Sequence, residues 1–391
     1  MTSSALHAHR FLFRLGLALV HAFAWVFVFE YFYLLSGSMS RALAGTVLLY
    51  AFTQFITIVT TPVSAAHLAR GVKYSLVWGA LIAAFAFTVL GASFSGYLQT
   101  PELWGLVAFA ILYGLYRALY WIPYTLASTE STPLAHTRTY VEVLIALMPL
   151  FAGLTLASTQ LAPARLLFGA AALIVLSAII GYFIPDTRER FSWPYVYTFK
   201  QLFRRKNQGL VLQSLLEGMQ SAALFLLWPL AVFLIVEWSY LTLGLVFTIT
   251  LLVVLLLRRL YRFLTGHYGI GSQSAVHTVI VVSGWIARLT AGTPVGVVIA
   301  DAYSYSTQPE RSAHADPFSF EHASDRGAFL DEYTALKEIS LALGRIMLCA
   351  LVFFTASAFA LPIVFASALL IAAAAAGIGT LIAQRLSPAA Y

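Results

Sequence analysis

The sequence predicts an all-α polytopic membrane protein, with twelve transmembrane helices in two pseudo-symmetric six-helix bundles. Three observations carry this expectation. Apolar residues make up 60% of the 391, and charged residues only 10%, where a soluble domain is nearer a quarter charged. The apolar residues come in blocks that can cross ~30 Å of hydrocarbon at ~1.5 Å per residue. The blocks lack the alternation of barrel strands, which leaves helices as the structure that satisfies its own backbone in lipid.

In order, the runs are roughly 15–35, 42–63, 74–93, 102–124, 139–159 and 164–184, then 209–235, 240–257, 274–288, 291–307, 334–358 and 361–384. Arg10 and Arg14 ahead of the first run imitate a signal peptide. The apolar stretch continues to Leu35, however, which is too long for a cleaved segment, so it is expected to be the first membrane helix. The fourth run closes on GLYRALYWIPYT, which sets Arg117 among aromatic rings. The fifth opens with RTYVEVLIAL and the eleventh with EYTALKEISLAL, so Glu142 and Glu338 fall at corresponding points of two halves. Such internal pseudo-symmetry is a transporter trait. The ninth run is the least regular, because Gly269, Gly271 and Gly284 interrupt it.

The polar break Pro185–Gly209 divides the runs six and six. The expected organisation is a bundle over 1–184, a linker over 185–208 and a second bundle over 209–391. Within the linker, Tyr195, Phe199, Leu202 and Phe203 recur at helical spacing opposite Lys200, Arg204 and Arg205. This pattern fits a short interfacial helix against membrane lipid.

A net charge of +7 could suggest nucleic acid, but the basic residues sit mostly in short loops. Clusters such as Lys200, Arg204, Arg205 and Lys206 fall on one side of the expected membrane, while the other side holds only Arg41, Arg165 and Arg288. By the positive-inside rule both termini are cytoplasmic and no nucleic-acid partner is expected. The single Cys349 rules out an intramolecular disulfide and weighs against a metal cluster. His314 and His322, in the acidic segment 308–332, are expected to be solvated. There is no HExxH, no P-loop, and no strand ahead of GHYGIG, so neither an enzyme nor a cofactor is indicated.

The chain resembles the major facilitator superfamily over its full length, in its six plus six helices, basic central loop and inward termini. The superfamily's signature Gly-x-x-x-Asp-Arg-x-Gly-Arg-Lys is half present as SAAHLARGVK. Gly71 and Lys73 match, but Ser64 replaces the first glycine and Leu68 the aspartate. The related loop RFLTGHYGIG keeps Gly269 and a basic Arg262, again without the aspartate. The resemblance implies that helices one, four, seven and ten line a central cavity. All four carry an intramembrane charge: Glu30, Arg117, Glu217 and Asp301. A charge near the bilayer centre costs ~2.5–3.5 kcal/mol on insertion scales, so it is expected to be paired or to face water.

Tyr120 and Trp121 could stack on a solute beside Arg117, and Gln213 and Gln220 flank Glu217 with hydrogen-bonding capacity. Arg117 and Glu142 match in depth, which makes them an expected ion pair. Arg345, in the helix that carries Glu338, is the expected partner of Asp301. Glu217 has no basic neighbour in sequence, so it is the expected proton carrier, and burial would keep its carboxyl ready to take up a proton. The expected function is secondary active transport of a small solute by alternating access, coupled to protons, in a bacterial cytoplasmic (inner) membrane. The alternatives are a non-transporting receptor or assembly factor, which the eroded loop signature favours, and, less so, a membrane-embedded enzyme.

Overall fold

A computed structural model describes residues 2–95, 102–129, 137–158, 162–188, 191–268, 275–306 and 330–386. The expected segment containing His314 and His322 and the loop after Tyr268 lie outside the described residues. The first six membrane runs form α1 (Thr2–Ser36), α2 (Met39–His67), α3 (Val72–Phe94), α4 (Glu102–Thr129), α5 (Thr137–Ser158) and α6 (Ala162–Gly181). The linker holds α7 (Tyr195–Gln201). Beyond it come α8 (Gln208–Ala222), a π-helical turn (Ala223–Leu227) and α9 (Trp228–Ile235), which together cover the seventh run. They are followed by α10 (Tyr240–Tyr268), α11 (Ala275–Leu289), α12 (Pro294–Ser306), α13 (Leu330–Ala358) and α14 (Leu361–Leu386).

Among the described residues, 10 helices are long and apolar enough to cross a membrane. The ninth and tenth runs do form helices, but α11 has 15 residues and α12 only 13. The chain turns at Thr290–Thr293 and restarts at Pro294, where a missing N–H costs nothing because a helix start has no partner for it. Large apolar side chains such as Leu48, Phe55, Trp78 and Phe354 stand exposed around the bundle. This is the inverse of a soluble surface and is what contact with lipid tails requires.

α1 begins well before its apolar run. The reason is that its polar first turns are packed inside the bundle rather than left in solvent. His9 is fully buried, and its Nδ1 donates to the Ser177 carbonyl of α6 at 2.9 Å. Its Nε2 lies 3.1 Å from the Tyr120 hydroxyl of α4. Arg14, expected in a cytoplasmic segment, is buried in the same stretch.

The helices before α7 pack mainly on one another, through α1–α6, α3–α4, α3–α6 and α2–α4. Those after it pack through α8–α13, α8–α14, α11–α14 and α10–α12. Two helix pairs, α2–α13 and α5–α10, form the main contacts between these sets. Small residues permit the closest approaches, as packing without a hydrophobic driving force requires. A Cβ on Gly218 would collide with the Leu341 carbonyl, and one on Gly344 with that of Leu215, so α8 and α13 touch backbone to backbone. Gly153 and Gly244 do the same for α5 and α10.

The sets also meet at both ends of the bundle. At the end holding the α2–α3 loop, Ser192 Oγ donates to Glu332 of α13 at 2.5 Å, and Ala335 packs with Ala65, Leu68, Val72 and Ile122. The linker helix α7 is shorter than the amphipathic pattern suggested. It lies against this junction, with Leu202 buried on Leu336 and Ile339, while Phe203 is 82% exposed. At the opposite end, the Tyr240 hydroxyl donates to Glu30, and Trp238 packs on Phe29 and Tyr33 with ring centroids 5.9 and 5.0 Å apart. The α9–α10 turn that presents Trp238 is strained, with Glu237 and Trp238 at φ of 54° and 64°.

The backbone contact of α8 with α13 yields a prediction. Gly344→Val should force the two helices apart and lower stability by about 1–3 kcal/mol or more. The expected result is a clear fall in the midpoint of thermal unfolding of the purified protein in detergent.

Candidate functional site

The most completely determined polar cluster lies among α9, α11 and α12. Arg288 Nε donates to Asp301 Oδ1 at 2.7 Å, and Trp228 Nε1 donates to Asp301 Oδ2 at 2.9 Å. Both carboxylate oxygens therefore accept a hydrogen bond. The guanidinium carbon of Arg288 sits 4.7 Å from the Trp285 ring centroid, 5.7 Å from that of Trp228 and 5.5 Å from that of Tyr305. Asp301 is 1% exposed and Arg288 3%. A buried ion pair survives in such surroundings only with good geometry and additional hydrogen bonds, and aromatic faces help hold the cation.

This arrangement corrects two expectations. Asp301 pairs with Arg288 rather than with Arg345, and Arg288 is not an external-loop residue but a buried one in the last turn of α11. The π-helical turn explains how Trp228 takes part, since it ends immediately before Trp228 and Pro229. Proline removes a backbone donor from a helix interior, and a π turn there absorbs the irregularity; such turns are frequent at functional sites.

Arg345 is fully buried at the middle of α13 and faces the other set of helices. Its Nη1 donates to Gln54 Oε1 of α2 at 3.1 Å, and its Nε to Ser221 Oγ of α8 at 3.1 Å. Sequence reasoning placed Arg345 in a charge pair with Asp301; its contact with Gln54 across the α2–α13 junction was missed. Two turns earlier on α13, Glu338 is 2% exposed.

Glu217 lies on α8, half-buried, and accepts a hydrogen bond from Gln213 Nε2 at 3.2 Å. Gln220 is buried and donates to the Leu216 carbonyl of its own helix at 3.2 Å. Both glutamines thus stand on adjoining turns as their spacing implied, with Gln213 bonded to the carboxylate.

Arg117 is 2% exposed in the second half of α4. Around it runs an aromatic seam between α4 and α1. Phe13 stacks on Tyr120 at 3.9 Å, Tyr120 stacks on Tyr124 at 5.6 Å, and Trp121 stands edge-on to both tyrosines. Arg10 caps the seam over the Tyr124 ring at 5.5 Å. Tyr120 is therefore bound to His9 and Phe13 in this state. α4 packs chiefly on α3, α2 and α13, while α5, which carries the half-buried Glu142, packs chiefly on α10, α1 and α6. The α4–α5 contact expected to bring Arg117 and Glu142 together is thus not a principal one. Glu30 lies in the end contact with Tyr240 described above. No group of three or more His, Cys, Asp or Glu side chains that could hold a metal ion occurs among the described residues.

No protein-family model and no curated protein matches the chain. Solved structures do match it from end to end. A bacterial homologue of the iron transporter ferroportin, in its outward-facing state, is 17% identical with a TM-score of 0.64, and each chain is covered to 99%. The same homologue in the inward-facing state is 16% identical with a TM-score of 0.62, again with 99% of each chain covered. The xylose transporter XylE from E. coli, inward open, is 12% identical with a TM-score of 0.64, covering 99% of this chain and 96% of its own. The chain has the major facilitator fold. The charged residues Glu30, Arg117, Glu217 and Asp301 stand on α1, α4, α8 and α12.

Removing one partner of the Asp301 pair should be costly. Arg288→Gln leaves a carboxylate buried with only Trp228 as donor, an expected loss of roughly 3–5 kcal/mol. Arg288→Gln combined with Asp301→Asn should lose less than Asp301's stranded charge alone costs, measured by thermal unfolding of the single and double variants.

Proposed function

We propose that this protein is a secondary active transporter that moves a small solute by alternating access across a bacterial cytoplasmic membrane. Its helices would form two six-helix halves, with α11 and α12 completing the second and both termini cytoplasmic. The observation that carries the proposal is the end-to-end likeness to transporters solved in opposite-facing states. The contacts between the halves support it. They lie at both ends of the bundle and use different helices, so one set can part while the other persists. Lipid would contact the exposed apolar girdle, and protons would be the coupling ion.

Glu217 is the proposed proton carrier. It is half-buried in α8 and accepts a hydrogen bond from Gln213 one turn away. Protonation would remove the cost of occluding a charge and let the halves rock; deprotonation on the far side would reset them. A non-transporting receptor remains the second reading because of the eroded loop signature. Against it, a carboxylate from the linker stands at the loop that lacks the aspartate at Leu68. Asp186 Oδ1 accepts from the Lys73 amide at 3.4 Å, beside Gly71, whose φ of 133° suits only glycine.

Two tests follow from this proposal. In proteoliposomes screened with a solute library, Glu217→Gln should abolish accumulation driven by an imposed pH gradient while solute exchange continues. Continued accumulation in that variant excludes Glu217 as the coupling site, and absence of any uptake by the wild type favours the receptor. Separately, if Arg117 and Glu142 are coupled, neutralising both should impair folding or transport less than the sum of the single changes; additive losses exclude the pair.

A further inference from the structure

The Asp301–Arg288 cluster offers more hydrogen-bond donors than its own contacts use. Among the described residues Arg288 hydrogen-bonds through Nε alone, which leaves the donors of its two Nη groups unused. Trp285 Nε1 is buried without any hydrogen bond to a described residue, although the ring is only 1% exposed and lies against Arg288. Buried donors in native proteins almost always find an acceptor, and one left open is unfavourable. Asp301 does not serve it: its carboxylate accepts from Arg288 and Trp228. The cluster thus presents donors, three aromatic faces and no net charge.

We propose that these residues form a recognition site for a small uncharged solute bearing hydroxyl or carbonyl oxygens. The oxygens accept from Trp285 Nε1 and from the Nη groups of Arg288, and the solute's apolar face lies on the rings of Trp228, Trp285 and Tyr305. An anion would leave an uncompensated negative charge beside Arg288, Asp301, Trp228 and Trp285, each at most 3% exposed, at an energetic cost. A cation would have to displace Arg288 from Asp301 and from its aromatic enclosure. Asp301 lies ~10 Å from the start of α12, deep enough to be occluded when the halves close. Tyr303 and Ser283, bonded at 2.8 Å nearby, tie α12 to α11 and keep the two short helices in one unit.

The proposal deepens the transporter reading above, but binding to the purified full-length protein can be measured without transport. The probes are D-glucose, myo-inositol and uridine as uncharged solutes, acetate and inorganic phosphate as anions, and choline and guanidinium as cations. Saturable thermal stabilisation and quenching of tryptophan fluorescence are read in detergent. At least one uncharged probe should bind saturably, and more tightly than any charged one. Replacing Trp285 by its isostere 3-benzothienylalanine removes only the N–H. It should weaken that binding roughly tenfold, the worth of one buried hydrogen bond, without lowering the unfolding temperature of the unliganded protein. Trp285→Phe serves as the conventional companion variant. The site is overturned if no uncharged probe binds saturably, if a charged probe binds more tightly, or if the isostere leaves affinity unchanged. Binding that follows the expected pattern in a protein unable to transport would sink the transport reading and leave the site standing.

Discussion

Hydrocarbon supplies no counter-charge and no hydrogen-bond partner, so every buried polar group in this bundle depends on another part of the same chain. That constraint explains which helices touch and where. Asp301 holds α9 and α11 to α12 through one carboxylate. Arg345 reaches α2 and α8 at once from the middle of α13. His9 draws the polar start of α1 onto α4 and α6. The apolar residues between these points make the helices stable in lipid, but they do not select the neighbours; the polar contacts and the glycine-lined approaches do.

The same constraint governs what could move. The α2–α13 contact includes a charged side chain, Arg345, bonded to a neutral amide, Gln54. A neutral partner binds a guanidinium less tightly than a carboxylate does. The Asp301–Arg288 pair instead joins α11 to α12, neighbours in the chain, through a buried ion pair.

Much of the fold was legible because lipid reads length and apolarity, and both are properties of a run of sequence. Six runs before the linker and their counterparts after it appear as helices at nearly the expected places. The exceptions are instructive. The first turns of α1 look like a solvated segment because His9, Arg10 and Arg14 are polar, and only their partners on other helices reveal why they are inside. Between α11 and α12 the chain makes a tight turn and restarts at Pro294, a backbone matter that hydropathy does not report. Of the site, the residues bearing charge on the four expected helices were legible, as was the Gln213–Glu217 neighbour relation at one helical turn. The partner of Asp301 was not. Choosing Arg288 over Arg345 requires knowing which faces of α11 and α13 turn toward α12, and a hydropathy run carries no such facing. Trp228 and Trp285 were likewise invisible as site residues, since a tryptophan in an apolar run reads as core.

The π turn at Ala223–Leu227 also sets a phase within a single helix. Glu217 and Trp228 are separated by a number of residues that, on a regular α-helix, would bring them back to almost the same face. The turn inserts one residue more than the α repeat needs, which shifts everything after it by roughly a quarter of a revolution. The two side chains therefore answer to different neighbours, Glu217 to Gln213 on its own helix and Trp228 to Asp301 on α12. One continuous rod thus points its lower and upper halves in two directions, and a helical wheel drawn through it without the break would merge two separate polar sites into one.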